Sequence, residues 1–497
     1  LPPEGNAAVK LTRDLDENAR SIKKQFEGDE TLRMRFIENQ HNPGVRCCIF
    51  YSDSMVSSEL VNGNIIRPIN LFDMKLATPC ILDALMDKVV QINEMSKTSD
   101  WDEMLEAIAY GDTVLLAQGC AEALVLNTKG FPTRGISEPS GEKVLNGPRE
   151  GFTEALLPNL TMLRRRIKTN KLKMAFRTFG TRTLTKACVC YVDGVARPEV
   201  VDELNRRLDQ FDLDGALDVN YLAEFIKDAP LSLFATMGST ERPDVVAGKL
   251  LEGRVAIFLD GTPMVLTAPY LFIENFQSNE DYYVNYWYAS FYRFIRIIAF
   301  FLTTCVPAFY IAAVTCQQEL LPTPMILSIS VARQGVPFPS VLETLLMIFT
   351  FEILKETGIR MNSSVGQALS IVGALVIGQA AVEAKIASAP VIIVVAFAGI
   401  TGLIIPRLSM PVIVLRTFFL LLASVMGLFG LVMGLMGLLI YLVGMRSFGM
   451  RAFLDPSSDF QMHKDTVMRA PWWKMRLRPP GMSPDAVRKG PEGKAEP

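Results

Sequence analysis

Two carboxylates inside an apolar run are the side chains with the most chemistry to offer. Glu343 and Glu352 lie in Phe338–Ile353, which is otherwise apolar or weakly polar. An acid in a membrane segment faces water or a partner rather than lipid, and a ring of glutamates from several copies of a chain would favour cations. A surface helix with solvated acids is the plainer reading, and both stay open. The second candidate is Arg134–Glu154, RGISEPSGEKVLNGPREGFTE. Its turns would present Glu138, Pro139, Ser140, Gly141, Glu142, Asn146, Gly147, Pro148, Arg149, Glu150 and Phe152 at fixed positions. That suits a docking surface or hinge, with an interdomain linker as the alternative. The third is a row of small residues, Gly427, Gly430, Gly434, Gly437 and Gly444, with Ala423 extending it. This spacing runs down one helix face, where backbones can approach closely in lipid.

Catalytic chemistry finds few candidates. Two histidines and eight cysteines, with no CxxC pair, leave no Ser/His/Asp set and no zinc site to expect. GEKVLNGP lacks the spacing of a phosphate loop. The chain is therefore read as a non-enzyme with no catalytic residue, metal or cofactor. A formal charge of −2 over 497 residues argues against a nucleic acid partner. Cys47, Cys48, Cys188 and Cys190 fall in apolar, strand-like runs and read as buried thiols. No basic stretch followed by an apolar core opens the chain, so no signal peptide is expected.

The elements that must position these groups divide at Ile297. Before it, the fold class expected is an α/β soluble region of two similar lobes; after it, an α-helical transmembrane bundle. In the first lobe, Gly44–Ser52 reads as a strand and Cys80–Asn93 as a helix. Trp101–Tyr110 reads as a second helix stopped by Gly111, and Val114–Ala117 with Ala123–Leu126 as a hairpin around Gly119. The second lobe repeats the order: a strand at Cys188–Val192, helices opened by Pro198 and Pro243, a stop at Gly253, and a hairpin turning at Asp260-Gly261. Cys47 and Cys188, Gly111 and Gly253, and Gly119 and Gly261 stand about 141 residues apart, the offset of a duplication. Two facing lobes would enclose a cleft. The expected divisions are a polar, mobile lead-in over 1–43, with Asn18–Phe36 as an amphipathic helix, then lobes over 44–133 and 155–284 flanking the 134–154 segment. A membrane domain of four or five helices over 285–445 and a basic tail over 446–497 follow.

Four stretches resemble the A subunits of spore germination receptors, the GerA family of endospore-forming bacteria: EPSGEKVLNGPREGFTE, FIENFQSNEDYY (Phe272–Tyr283), VEAKIASAPV (Val382–Val391) and PWWKMRLRP (Pro471–Pro479). The resemblance runs from about residue 45 to 480. It implies a receptor for small nutrient germinants in the spore inner membrane, working beside a membrane B subunit and a lipoprotein C subunit. It also implies self-association, as a ring around an ion-conducting pore, and a two-lobed N-terminal region. An accessory protein of the SpoVA system shares the architecture and is an open alternative, as are a non-conducting scaffold and a secondary transporter.

Ile297–Gln318, Met361–Val382, Ile386–Pro406 and Thr417–Val443 read as spans in contact with membrane lipid. Aromatic residues from Tyr282 to Tyr292 suit the membrane–water interface, and basic residues at both ends of the block place the soluble region and the tail on the cytoplasmic (core) side. That requires an even number of spans, whereas the family is drawn with about five. Either Phe338–Ile353 is re-entrant or surface-lying, or Pro411–Gly444 divides in two.

Overall fold

The computed structural model describes residues 11–42, 44–53, 55–72, 81–130, 139, 141–142, 144–360, 373, 376–453, 464–475, 477–479, 481–485 and 487–488. The chain forms two compact units: one comprises residues 1–230, 237–270 and 476–497, the other residues 231–236 and 271–475.

The first unit holds two lobes of one design. Lobe one contains α1 (Leu15–Gln25), β1 (Leu32–Glu38), β2 (Arg46–Ser52), β3 (Met95–Thr98), α2 (Trp101–Tyr110), β4 (Thr113–Ala117) and β5 (Ala123–Leu126), with its sheet ordered β1-β2-β4-β5-β3. Lobe two contains α3 (Leu156–Arg166), β6 (Leu172–Phe179), β7 (Thr185–Val192), α4 (Pro198–Leu208), α5 (Val219–Ile226), β8 (Gly238–Thr240), α6 (Pro243–Leu251), β9 (Val255–Leu259) and β10 (Val265–Ala268), ordered β6-β7-β9-β10-β8. Every strand pair is antiparallel, a refinement of the α/β expectation. In lobe one both sheet faces are covered, because alternate β2 residues enter separate cores. Cys47 and Ile49 meet helical residues of 61–69 and 82–89, while Cys48 and Phe50 meet α1 and α2.

The repetition reaches single hydrogen bonds. Asn18 Oδ1 accepts from Thr12 N at 3.0 Å, and Asn159 Oδ1 accepts from Thr153 N at 2.8 Å. The Gly119 amide donates to Arg13 O, and the Gly261 amide donates to Glu154 O. Gly111 and Gly253 both end their helix regions at φ 96°, a left-handed conformation that costs glycine least.

The lead-in is one departure from expectation. Residues 18–36 do not form a single mobile helix: α1 stops at Gln25, Gly28 turns at φ 81°, and β1 joins the sheet edge. α1 packs Leu15, Ala19 and Ile22 against the lobe core.

The second unit is helical: α7 (Tyr286–Thr315), α8 (Thr323–Ala332), α9 (Ser340–Arg360), α10 (Ala389–Leu403) and α11 (Ser409–Gly444). Among the described residues, two stretches are long and apolar enough to cross a membrane, the helix Tyr286–Thr315 and Pro406–Gly444, the second broken at Gly427. Four were expected; most of Met361–Val382 lies outside the described residues, and α10 has 15 residues, about 22 Å.

Thr417–Val443, read as one span unless Pro411–Gly444 divides in two, follows the second alternative and forms a helical hairpin. Gly427 adopts φ 61° and ψ −144°, a region open to glycine. A Cβ on Gly430 would lie 2.4 Å from Leu422 O, and one on Gly434 would lie 3.0 Å from the Phe419 ring. In a straight helix residues 419 and 434 would stand about 22 Å apart, so the second arm folds back on the first. Gln317 Oε1, from the loop after α7, accepts from the Leu428 amide at 3.1 Å and satisfies a donor at the start of that arm.

Candidate functional site

Residues 141–142 and 144–154 of the 134–154 segment dock on lobe two through a buried arginine. Glu138 and Ser140 lie outside the described residues. Arg242, 2% exposed, donates to the carbonyl oxygens of Glu142 (3.2 Å) and Pro148 (2.8 Å) and pairs with Asp244 at 2.8 Å. Glu142 returns the contact, with Oε2 accepting from Thr240 Oγ1 at 2.5 Å and from the Glu241 amide at 3.3 Å. Glu150 pairs with Arg166 at 2.6 Å. The Phe152 amide donates to Glu241 O, and its ring meets Phe258 edge-on at 5.3 Å. Gly141 and Gly151 pass close to Glu241 and Pro139. Leu145, Asn146, Gly147 (φ 114°) and Arg149 stand exposed at the tip, with Pro148 half-buried beside them. Thus Glu142, Glu150 and Phe152 hold the loop against its own lobe, while its tip faces outward.

A second seam joins the two lobes. The loop Phe26–Thr31 runs along the β6 edge, where the Glu30 amide donates to Met174 O at 3.0 Å. Asp29 and Arg164, each with a side chain 1% exposed, form an ion pair at its centre. Lys173 Nζ donates to Gln25 O at 3.1 Å, and burial pushes its ammonium below the usual lysine range. Beside the seam opens a cleft of about 1410 Å³. Arg20, Lys23 and Lys24 of α1 line one side, and Phe176, Lys186 and Asp260 of lobe two the other.

The two acids of α9 have partners within the chain. Glu343 is fully buried; its Oε1 accepts from both the amide and the hydroxyl of Ser388, the residue before α10, at 2.5 Å, and its Oε2 lies 3.8 Å from Arg333 Nε. Glu352 pairs with Arg416 of the hairpin at 2.6 Å, and Lys355 approaches at 3.7 Å. The Phe351 ring occupies the space where Gly399 would carry a Cβ. These contacts tie α9 to α10 and to the first hairpin arm. Of the glycine row, Gly427 forms the turn, Gly430 and Gly434 meet the first arm, and Gly437 and Gly444 have no neighbour within 4 Å of a Cβ. The row is therefore spent in part within one chain. Gly434 and Gly437 line an apolar groove of about 540 Å³ between the arms.

Residues 20–480 match the family described as Bacillus/Clostridium GerA spore germination protein. The chain belongs to the GerA family. Spore germination protein KA of Bacillus subtilis (strain 168) is 37% identical over 99% of this chain and 91% of its own. Uncharacterized membrane protein YfkQ of the same strain is 38% identical, covering 98% and 95%, and Spore germination protein B1 is 32% identical, covering 96% and 99%. The crystal structure of the N-terminal domain of the A subunit of the Bacillus megaterium spore germinant receptor GerK3 aligns at 29% identity with a TM-score of 0.41, over 54% of this chain and 99% of that one.

Within this GerA chain, local geometry explains the VEAKIASAPV stretch. Residues 376–383 are helical, Lys385 turns at φ 53°, Ser388 immediately precedes α10, and Pro390 occupies its first turn. Sequence reasoning missed Arg242, Ser388, Arg416, Gln317 and the Asp29–Arg164 pair. Each acts across 64 residues or more, or across 45 for Ser388, so no local spacing signals it.

Proposed function

We propose that this chain is the A subunit of a nutrient germinant receptor in the spore inner membrane. It passes a conformational change from B and C partner subunits through the lobes to the membrane helices, without catalysis. In this reading the chain crosses the membrane several times, its soluble region and tail face the core, and copies associate into a germinant-gated ion channel. The supporting observation is two buried charged side chains within the apolar helices, Glu343 of α9 beside Arg333 and Arg416 of α11 paired with Glu352. Ionisable groups at such positions mark ion pathways or moving parts. For gating, germinant must favour the open state by differential affinity.

The intrachain pairing of Glu352 with Arg416 favours a second reading, a scaffold whose acids brace helices. Monovalent cation flux, measured with partner subunits present and at matched protein levels, separates the two. A pore-lining role predicts that Glu352→Gln alters ion selectivity whatever stands at 416. A brace predicts that Glu352→Gln and Arg416→Gln behave alike and that the exchange Glu352→Arg with Arg416→Glu restores wild-type flux. Absence of flux from the assembled wild type under germinant overturns the channel reading.

A further inference from the structure

Residues 464–475 form a strap across the first turns of α7. Arg293, fully buried, donates through Nε to Asp281 at 2.9 Å and through Nη1 to Asp465 at 2.8 Å. Tyr282 OH donates to the second oxygen of Asp465 at 2.9 Å. Ser290 Oγ accepts from the Arg469 amide at 3.0 Å and donates to Arg469 O at 3.3 Å. Thr466 and Arg469 point inward, whereas Met468 (71%), Trp472 (54%) and Trp473 (53%) are exposed. The Tyr286 ring meets Trp473 at 6.3 Å, and Trp287, 70% exposed, stands beside it on α7.

We infer that the outer face of this strap, Met468, Trp472, Trp473 and Lys474, lies in the headgroup layer of the bilayer and takes an anionic phospholipid headgroup. The inference rests on reading α7 as a membrane-crossing helix. Tryptophan and tyrosine settle at the membrane–water interface because one ring carries both apolar surface and a hydrogen-bond donor. A contiguous exposed aromatic patch needs a covering surface, and here it adjoins the end of a 30-residue apolar helix. Charge selects the lipid. Across 279–296 and 464–475 the charged residues are Arg293, Arg296, Lys464, Arg469 and Lys474 against Glu280, Asp281 and Asp465, five cations to three carboxylates. Anionic headgroups complement that surplus.

The chain has four tryptophans, so the test is spectroscopic. Full-length Trp101→Phe/Trp287→Phe protein, which retains Trp472 and Trp473, is placed in nanodiscs of phosphatidylcholine with or without phosphatidylglycerol. A quencher high on the acyl chain should dim the emission more than one near the chain end. Energy transfer to labelled phosphatidylglycerol should exceed that to labelled phosphatidylcholine, and Lys474→Gln should cut the preference about fivefold, the weight of ~1 kcal/mol per basic residue. Added inorganic phosphate should change nothing. If the protein co-elutes with nanodiscs but neither quencher acts, or if labelled lipids are not distinguished, the inference fails. Displacement of labelled lipid by inorganic phosphate would assign the site to a free anion and also overturn it. Protein that does not co-elute with lipid would instead sink the membrane reading of α7.

Discussion

Removing Arg164 should loosen the two lobes from each other rather than unfold either. In Arg164→Met, Asp29 stays buried without its counter-charge. It keeps two local donors, the Thr31 amide at 3.0 Å and the Thr31 hydroxyl at 2.6 Å, neither of which brings a charge. Stranding one member of a buried ion pair costs about 3–5 kcal/mol, and the Thr31 bonds place this case toward the lower end. At about 1.4 kcal/mol per factor of ten, the opening equilibrium of the seam rises ~100- to 4,000-fold. Hydrogen exchange at the Glu30 amide, which donates across the seam to Met174 O, reads that equilibrium directly. Amides in β4, bonded within lobe one, should keep their protection. Adding Asp29→Asn removes the stranded charge and should restore Glu30 to within about tenfold of wild type. A fall at Glu30 of less than about tenfold in Arg164→Met, or equal losses at Glu30 and Leu115, would refute this account.

Three other expectations concern separate parts of the chain. Cysteines placed at Phe419 and Gly434 should oxidise to a disulfide rapidly, because the hairpin brings these positions into contact where a straight helix would hold them about 22 Å apart; failure to cross-link would remove the turn at Gly427. At pH 8, a maleimide should label exposed Cys316 in Cys80→Ser protein and leave Cys47 and Cys48, whose thiols burial pushes up to about 12, untouched until denaturant is added. Glu203 is held down at about 2, from its usual 4.5, by hydrogen bonds from Arg206 and Arg207. Its folded value lies below its unfolded one, so its stabilisation is complete above about pH 4.5 and drains as pH falls toward 2. Exposure to solvent means that added salt should shrink this contribution, and an acid-unfolding limb identical in Glu203→Gln would contradict the assignment.

The lobes were legible because their punctuation is local. Turn glycines at 111, 119, 253 and 261 and apolar strands at fixed distances from them reveal both the elements and their repetition. β1 was not legible, because LRMRFIE interleaves charge with apolar residues and lies at a sheet edge where most of its side chains stay exposed. The same sequence permits a helix, and only pairing with β2 decides. The length of Pro411–Gly444 allowed a division in two, but the place of the hairpin turn in α11 was hidden for another reason. An unbroken apolar run carries no polar loop, and the turn needs one glycine and a glutamine more than a hundred residues earlier. Glu343 and Glu352 stand out in the sequence as acids in an apolar run, yet their partners depend on tertiary folding alone.

The seam between the lobes has a consequence for how the duplicated unit stops at two. It is a head-to-tail contact: the α1–β1 loop of one copy meets the helix opening the next copy. Such contacts do not satisfy themselves, and a third copy could in principle add to the free ends, as in a growing polymer. The two ends are chemically blocked. Lys23 stands in α1 where Arg164 stands in α3, and residues 167–171, Ile-Lys-Thr-Asn-Lys, replace the acid-bearing loop that contains Asp29. A lysine-rich loop meeting a lysine-bearing helix would bring like charges together, which disfavours a further addition through this contact.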